Sequence, residues 1–372
     1  MSFYQLTDQR LAIRELYILR KIKHKNIARL YECIIDESLD KIVFVMEYCD
    51  QGQLMIYNID ETGYDYNNKL IIFLLKKFFY HNCENQRNII LDIINFKKDQ
   101  SKIITEKEIL YKFKALDDQI IEDIEAKKFI FDLFDNNFKL KVFFIKLFLK
   151  QIIEAVKYLH SKNICNRDIK PENIVFKDTF DHIAEINPEN YVGINNIDDF
   201  LKITDFSISK NYEDKNQKII SLAGTDFFKA PEILNFECFN PFKAEIYSIG
   251  VTIIYFLFKK FYKPKSIKQM SDEEKNKIFE PSINNDNKNE FIEQNSKFIT
   301  MRSNSFLNRP RKSSIIYNNF EKMLGKEFIT DFDDSKIFFE EIDELEFYYF
   351  IKRFIHDNPE KRLNLDNYIA QN

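Results

Sequence analysis

The sequence contains little glycine. Only six glycines occur among 372 residues, and the first of them is Gly52. A G-x-G-x-x-G loop needs three glycines close together so that backbone amides can surround a phosphate. The segment before Gly52 therefore cannot contain such a loop.

Cysteine and histidine are also sparse. The five cysteines are odd in number and never spaced C-x-x-C, which predicts free thiols in a reducing compartment. The five histidines are dispersed, so no zinc-binding pattern is indicated. The cysteines are Cys33, Cys49, Cys83, Cys165 and Cys238.

Strong net charge and long apolar runs are absent. The net charge of −4 gives no reason to expect nucleic acid or an anionic membrane as a partner. No run reaches the roughly 18 apolar residues of a membrane span, and the N-terminus does not have the pattern of a secretory signal. With 45% hydrophobic and 31% charged residues, the composition is that of a globular protein, expected in the cytoplasm or nucleus.

The first predicted helix covers residues 8–23. Leu11, Ile18, Leu19 and Ile22 recur at three- and four-residue steps and should form its buried face. Glu15 falls in the same stripe. Either another element supplies a cation or hydrogen bonds to this carboxylate, or Glu15 is a surface residue at the stripe's edge.

Further elements follow along the chain. Residues 27–35 and 41–48 read as a β-hairpin, and residues 141–161 and 244–258 read as buried helices. Long polar or motif-free stretches near 57–140, 177–200 and 262–340 are interpreted as insertions.

Three motifs carry the chemistry. N-R-D-I-K-P-E-N occupies residues 166–173, K-I-T-D-F-S contains Asp205, and A-G-T-D-F-F-K-A-P-E ends at Glu232. Phosphoryl transfer needs a proton acceptor, a cation near the moving phosphoryl group and oxygen ligands for magnesium. Asp168, Lys170, Asn173 and Asp205 supply these types of group, and the order of the motifs makes a chance match remote.

The order of these motifs resembles that of the protein kinase family, from Glu15 to Arg362. The resemblance implies an α+β, two-lobed kinase fold over residues 1–372. Residues 1–52 would form a partial N-lobe that begins at the family's αC helix, and residues 53–372 would form a mostly helical C-lobe carrying the insertions. Lys170-Pro-Glu-Asn favours the serine/threonine class over tyrosine kinases.

The resemblance assigns roles to the motif residues. Asp168 would be the catalytic base, Lys170 would contact the γ-phosphate, and Asn173 and Asp205 would hold Mg²⁺. Glu15 would be the glutamate of the αC helix. The implied cofactors are ATP and Mg²⁺, and the implied partner is a protein substrate.

The same resemblance predicts an adenine site and a structural ion pair. Met46 would be the gatekeeper, and the backbone of Glu47 and Cys49 would meet the adenine edge. Gln53 would lie near the ribose and Val175 beneath the ring. Glu232 and Arg362 would pair in the C-lobe.

Two stretches, F-V-M-E-Y-C-D-Q-G-Q-L-M and I-K-R-F-I-H-D-N-P-E-K-R, show a closer likeness to one subfamily. Both stretches are similar to the calcium/calmodulin-dependent protein kinase kinases, which implies that the substrate is another kinase. Calmodulin is a partner of that subfamily, although its binding helix follows the kinase domain and no residue of this chain supports it.

The sequence departs from the family at several positions. Asn166 replaces a histidine that packs in the hydrophobic spine, Ser207 replaces a glycine, and Glu245 replaces an aspartate. The glycine-rich loop and the lysine of the family's third strand are not found before Glu15. Two hypotheses follow: a kinase whose sequence here is truncated, or a pseudokinase that acts as a binding scaffold. The retained Asp168, Asn173 and Asp205 favour the first.

Overall fold

The computed structural model describes most of the chain in eight stretches. Residues 178–199 and 263–343, which cover most of two expected insertions, lie outside them. The described stretches are 3–36, 41–58, 63–80, 84–95, 104–117, 124–177, 200–262 and 344–367.

The chain begins with helix α1, Phe3–Leu19, followed by the antiparallel strands β1, Leu30–Asp36, and β2, Lys41–Met46. The predicted helix and hairpin are both present, with shifted ends. Ile18, Leu19 and Ile22 are buried as expected. The expectation for Leu11 is wrong, because its side chain is 42% exposed and lies beyond the part of α1 that packs on the core.

The expected insertion 57–140 is folded and packed. Strands β4, Met55–Asn58, and β5, Gly63–Tyr66, form a hairpin. Four helices follow, and each places apolar side chains such as Leu74, Ile90, Phe113 and Phe134 in the main core. The helices are α2, Asn68–Tyr80; α3, Glu84–Asn95; α4, Glu106–Asp117; and α5, Ile124–Asp135.

Two long helices form the centre of the core. Helix α6, Phe138–Ser161, begins at Asn137, whose side chain accepts from the Leu140 amide at 3.0 Å. Helix α8, Pro241–Phe258, is long and apolar enough to cross a bilayer, yet 83% of it is buried inside the protein. The two helices pack together, for example through Phe148 and Phe256 at 5.8 Å between ring centroids.

Short strands position the motif residues. Strand β3, Gly52–Gln53, pairs with β7, Ile174–Phe176, which pairs with β8, Leu201–Ile203, all antiparallel. Strand β6, Ile164–Cys165, pairs with β9, Lys210–Asn211. The segment 166–173 therefore connects β6 to β7, and Asp205 follows β8.

The remaining elements are short helices and α9. Single 3₁₀ turns cover Pro171–Asn173, Asp226–Phe228, Pro359–Lys361 and Leu365–Asn367. Helix α7 is Pro231–Leu234, and α9 is Glu344–Phe354. Helices and short antiparallel sheets share one core, so the α+β expectation is confirmed.

The expected ion pair between Glu232 and Arg362 is present in the C-terminal part of the chain. Arg362 Nη1 and Nη2 donate to the two carboxylate oxygens of Glu232 at 2.6 and 2.7 Å, and both residues are buried. Arg362 also donates to the carbonyls of Lys243 and His356 at 3.0 and 2.8 Å. The guanidinium thus links α7, the start of α8 and the segment after α9.

Candidate active site

Strand pairing brings the motif residues together. Ile174 lies opposite Ile203, and the Thr204 amide donates to the Asn173 carbonyl at 2.9 Å. Asn173 therefore lies beside the residue that precedes Asp205. The Asn173 side chain in turn donates to the carbonyl and to Oδ2 of Asp168 at 3.0 and 3.1 Å.

Asp168 is a buried carboxylate with both oxygens oriented. Oδ1 accepts from the amide and the hydroxyl of Thr225 at 3.1 and 2.7 Å. Oδ2 lies 3.0 Å from Lys170 Nζ. Only 8% of Asp168 is exposed, so little of its carboxylate meets solvent.

Lys170 lies at the centre of a charge network. Its Nζ donates to Thr225 Oγ1 at 3.0 Å and lies 3.2 Å from Glu172 Oε2. Burial acts to lower the pKa of Lys170, but Asp168 and Glu172 raise it by more, so the net shift is upward and the amine stays charged. A fixed positive charge therefore lies beside the candidate base.

Tyr64 is a site residue that the sequence reasoning missed. Its hydroxyl donates to Glu172 Oε2 at 3.0 Å, and its backbone amide donates to the hydroxyl of Tyr255 at 2.7 Å. Burial raises the pKa of Tyr64, and the charge of Glu172 raises it further. Because Tyr64 lies on β5, in the expected insertion, no local motif indicated its contact with residues 170–172.

Asp205 offers one carboxylate oxygen to a ligand. Its Oδ1 accepts from the amide and the hydroxyl of Ser207 at 3.1 and 2.6 Å. Within the described residues, Asp205 Oδ2 and Asn173 Oδ1 accept no hydrogen bond. A carboxylate oxygen and an amide oxygen are donors that suit a hard cation such as Mg²⁺.

Glu15 contacts the turn that follows Asp205. Its Oε1 accepts from the Phe206 amide at 3.3 Å, so another element does supply a hydrogen bond. It forms no ion pair with any described residue. Burial raises the pKa of Glu15 and the nearby charge of Asp205 adds to this, while the hydrogen bond from Phe206 partly offsets both. The neighbouring Arg14 donates to the Ser207 carbonyl at 3.0 Å.

Asn166 connects the two motif segments that contain Asp168 and Asp205. It is fully buried; its Nδ2 donates to the Asp205 carbonyl at 2.8 Å and its Oδ1 accepts from the Asp168 amide at 3.0 Å. The sequence predicted only the loss of a packing ring here. The structure adds a polar connection between the residue 168 loop and Asp205.

Glu245 anchors the same loop from α8. One carboxylate oxygen accepts from the Arg167 amide at 2.8 Å, and the other lies 2.6 Å from His160 Nε2. Cys165 lies in the same buried cluster. Since both Glu245 oxygens already have partners, this cluster supports the loop, whose Arg167 has a left-handed φ of 69°.

The residues expected to meet adenine lie at the end of β2, in the segment after it, and on strands β3 and β7. Gln53 pairs directly with Val175, and Met46 ends β2. The Glu47 amide already donates to the Arg29 carbonyl at 2.7 Å, so only the Glu47 carbonyl can meet an adenine edge. Cys49 is a half-buried thiol, and burial raises its pKa to about 11.

The Glu47 side chain forms a second network that the sequence did not indicate. Its carboxylate lies 3.0 Å from Lys177 Nζ and 3.5 Å from Lys202 Nζ. Burial acts to raise the pKa of Glu47, but these two lysines lower it by more. The ion pairs connect the end of β2 to strands β7 and β8.

Comparison with known proteins matches residues 67–372 to the protein kinase domain. Serine/threonine-protein kinase ATG1 of Candida glabrata is 27% identical over 242 residues, which cover 64% of this chain and 20% of that protein. Its namesake in Saccharomyces cerevisiae is 26% identical over 246 residues, covering 64% and 21%. Calcium-dependent protein kinase 3 of Plasmodium yoelii yoelii is 32% identical over 124 residues, covering 32% and 20%.

The chain thus spans about a fifth of the length of these curated relatives. The matched region begins after Glu15 and the Met46–Gln53 segment, and it contains Asp168, Asn173 and Asp205. Because this region is more than half of the sequence, the chain belongs to the protein kinase family.

Proposed function

We propose that this protein is a serine/threonine protein kinase that transfers the γ-phosphoryl group of ATP to a protein hydroxyl. One observation carries the proposal. The Asp168 carboxylate is held by Thr225, Lys170 and Asn173. Backbone hydrogen bonds bring the next motif alongside, because Asn166 donates to the Asp205 carbonyl and the Thr204 amide donates to the Asn173 carbonyl. A base, a fixed cation and two candidate metal ligands then lie on adjoining segments.

The residues divide the reaction between them. The substrate hydroxyl oxygen attacks the γ-phosphorus, its proton passes to the Asp168 carboxylate, and the bond to the β-phosphate oxygen of ADP breaks. Lys170 Nζ, 3.0 Å from Asp168, places a positive charge where the γ-phosphate oxygens would lie. Asn173 and Asp205 would hold Mg²⁺, which supplies positive charge to the phosphates when bound.

Asp168 is oriented before substrate arrives. Thr225 donates twice to Oδ1, and the Asn173 side chain donates to Oδ2. These bonds stop the carboxylate from turning away, so no reorganisation is needed when a hydroxyl approaches. Asn166 and Glu245 extend the support through the backbone amides of Asp168 and Arg167.

The nucleotide assignments are part of the same proposal. Met46, the carbonyl of Glu47, the backbone of Cys49, Gln53 and Val175 would surround the adenosine part of ATP. The pairing of Gln53 with Val175 supports this placement, because it brings the proposed ribose and adenine residues to adjacent strands.

The finer assignments stay predictions. The likeness to calcium/calmodulin-dependent protein kinase kinases suggests a kinase as substrate, and the reported relatives carry other names. A cytoplasmic location rests on the composition and the free cysteines. Calmodulin binding has no residue of this chain in its support.

A binding scaffold is the alternative function. It is favoured by the absence of glycine before Gly52 and by Glu15, which pairs with no lysine among the described residues. A scaffold would keep the fold and its protein contacts without using the carboxylate of Asp205.

Magnesium-dependent phosphate transfer separates the two functions. Purified chain is incubated with γ-³²P-labelled ATP and a basic protein substrate, with and without MgCl₂, beside the Asp205→Asn variant. A kinase gives slow, Mg²⁺-dependent labelling of serine or threonine that Asp205→Asn removes. Labelling that is absent, or equal in both proteins, contradicts the proposal.

A further inference from the structure

Ser207 makes an unusual pair of contacts with Asp205. Its amide and its hydroxyl both donate to the same carboxylate oxygen, Oδ1, at 3.1 and 2.6 Å. Within the described part of the chain, Oδ2 accepts no hydrogen bond. The two oxygens of Asp205 are therefore not equivalent.

The backbone around Ser207 is held independently of its hydroxyl. Arg14 donates to the Ser207 carbonyl at 3.0 Å, Glu15 accepts from the Phe206 amide at 3.3 Å, and Asn166 donates to the Asp205 carbonyl at 2.8 Å. The left-handed residue of this turn is Asp205, with φ 60°, and Ser207 is not among the residues with positive φ. Nothing in the backbone of position 207 requires glycine, so removing the hydroxyl removes one interaction only.

We propose that Ser207 is a positioning residue for the cation held by Asp205. The hydroxyl restrains the rotation of the carboxylate about its terminal bond, and Oδ2, which accepts no hydrogen bond from the described residues, is the oxygen that would hold the cation. Without it, one backbone amide remains, and the carboxylate can rotate. Hydrogen bonds to ligand side chains orient them, and their loss typically costs about 10- to 100-fold in metal affinity.

This inference rests on the proposed metal site, and binding measurements test it without relying on turnover. The full chain is titrated with Mn²⁺ in the presence of a non-hydrolysable ATP analogue, and free Mn²⁺ is followed by electron paramagnetic resonance. We expect Ser207→Ala to weaken Mn²⁺ binding about tenfold or more and Ser207→Thr, which keeps the hydroxyl, to restore it within about threefold.

Controls separate positioning from folding. Ser161 donates to the Tyr158 carbonyl at an exposed helix end, so Ser161→Ala should bind Mn²⁺ like the native chain. Thermal unfolding without metal should be the same for Ser207→Ala and the native chain within about 2 °C. If the alanine variant does not fold, Ser207→Gly, which restores the residue of the family pattern, makes the same comparison.

The outcomes distinguish this inference from the proposed function. If the native chain binds Mn²⁺, Asp205→Asn loses it and Ser207→Ala binds as tightly as the native chain, the positioning role is overturned and the kinase proposal stands. If the native chain and Asp205→Asn bind Mn²⁺ equally weakly, the metal site itself is wrong, and the role of Ser207 is rejected with it.

Discussion

Asn166 and Ser207 differ from the family pattern, and each makes a hydrogen bond to Asp205. Asn166 donates to the Asp205 carbonyl, and Ser207 donates to its carboxylate. Asn166 stands where the family pattern has a histidine and Ser207 where it has a glycine, and each side chain forms a short polar contact. At the scale of single residues, the departures therefore reinforce the turn that carries the proposed metal ligand.

Glu15 should make the free energy of unfolding depend on pH. Its pKa is raised above the ordinary value of 4.5, so the folded chain binds its proton more tightly than the unfolded chain does. The stability that this group contributes is full below pH 4.5 and is lost as the pH rises through the raised pKa. Glu15→Gln cannot lose a proton, so we expect its unfolding free energy to rise relative to that of the native chain between pH 4.5 and 7.5.

Urea unfolding of both proteins across this pH range measures the difference. Glu213→Gln, at an exposed glutamate, is the matched control for the loss of one carboxylate. The difference in unfolding free energy between Glu15→Gln and the native chain should therefore change with pH. If this difference stays constant, or changes in the opposite direction, Glu15 does not titrate as described.

Motif spacing predicted which carboxylates and amides meet, but not all of their partners. Asp168, Asn173 and Asp205 lie in short segments whose order is informative. The Asn173 side chain donates to Asp168, and the residue before Asp205 donates to the Asn173 carbonyl. Tyr64 is 108 residues from Glu172, and Lys202 reaches Glu47 from another strand. Such contacts depend on how distant segments pack, and no local pattern encodes them.

At the scale of elements, helical periodicity predicted α6 and α8 within a few residues. The absence of a motif in the segment 57–140 predicts an insertion, yet its helices share the main core. Apolar patches show that a helix has a buried face. They do not show which surface covers that face, so the packing of α3 and α5 on α6, and of α2 and α4 on α5, was not predictable.

Gly250 allows α8 and α9 to approach closely. A Cβ built at this position would lie 2.6 Å from Ile355 Cγ2 and 2.6 Å from Phe354 Cβ. Overpacking typically costs about 1–3 kcal/mol, and the better helix propensity of alanine returns at most about 1 kcal/mol. We therefore expect Gly250→Ala to lower the free energy of unfolding by about 1 kcal/mol and Gly250→Val to lower it further, as measured by urea titration. Equal stability of all three proteins would mean that α9 does not pack against Gly250.

At the scale of the whole molecule, the Glu232–Arg362 pair connects segments 130 residues apart. Arg362→Met leaves a buried carboxylate without its partner, which typically costs about 3–5 kcal/mol. We expect that loss in urea unfolding, and a smaller loss in the double variant Glu232→Leu/Arg362→Met, where no buried charge remains.

An exposed pair provides the control for this measurement. Lys215 and Asp366 lie 3.7 Å apart with side chains 42% and 64% exposed. Lys215→Met should change the unfolding free energy by at most about 1 kcal/mol. Equal effects of Lys215→Met and Arg362→Met would contradict a structural role for the buried pair.

The described residues also leave an apolar surface on the β1–β2 hairpin. Tyr31, Ile35 and Val43 are 58%, 63% and 48% exposed. Glu15 lies on α1, and the fourteen residues before it contain neither glycine nor lysine, so the phosphate-binding lysine of the family pattern is not among them. Loss of one electrostatic donor typically costs about 10²- to 10³-fold, so we expect the 372-residue chain to turn over at no more than about 1 s⁻¹, from a usual kinase range of about 1–100 s⁻¹. Faster turnover in a steady-state assay would mean that another lysine of this chain contacts the phosphates.

The most direct test of the proposed site is the rate of phosphate transfer by Asp168→Asn. The variant keeps the size of the side chain and an oxygen that can accept from Thr225, but it cannot take the proton of the substrate hydroxyl. With γ-³²P-labelled ATP, Mg²⁺ and a basic protein substrate, we predict a fall in kcat of about 10²- to 10⁴-fold and little change in nucleotide binding. Asp132→Asn, at an exposed aspartate on α5, should keep the native rate. A native rate in Asp168→Asn would contradict the assignment of Asp168 as the base.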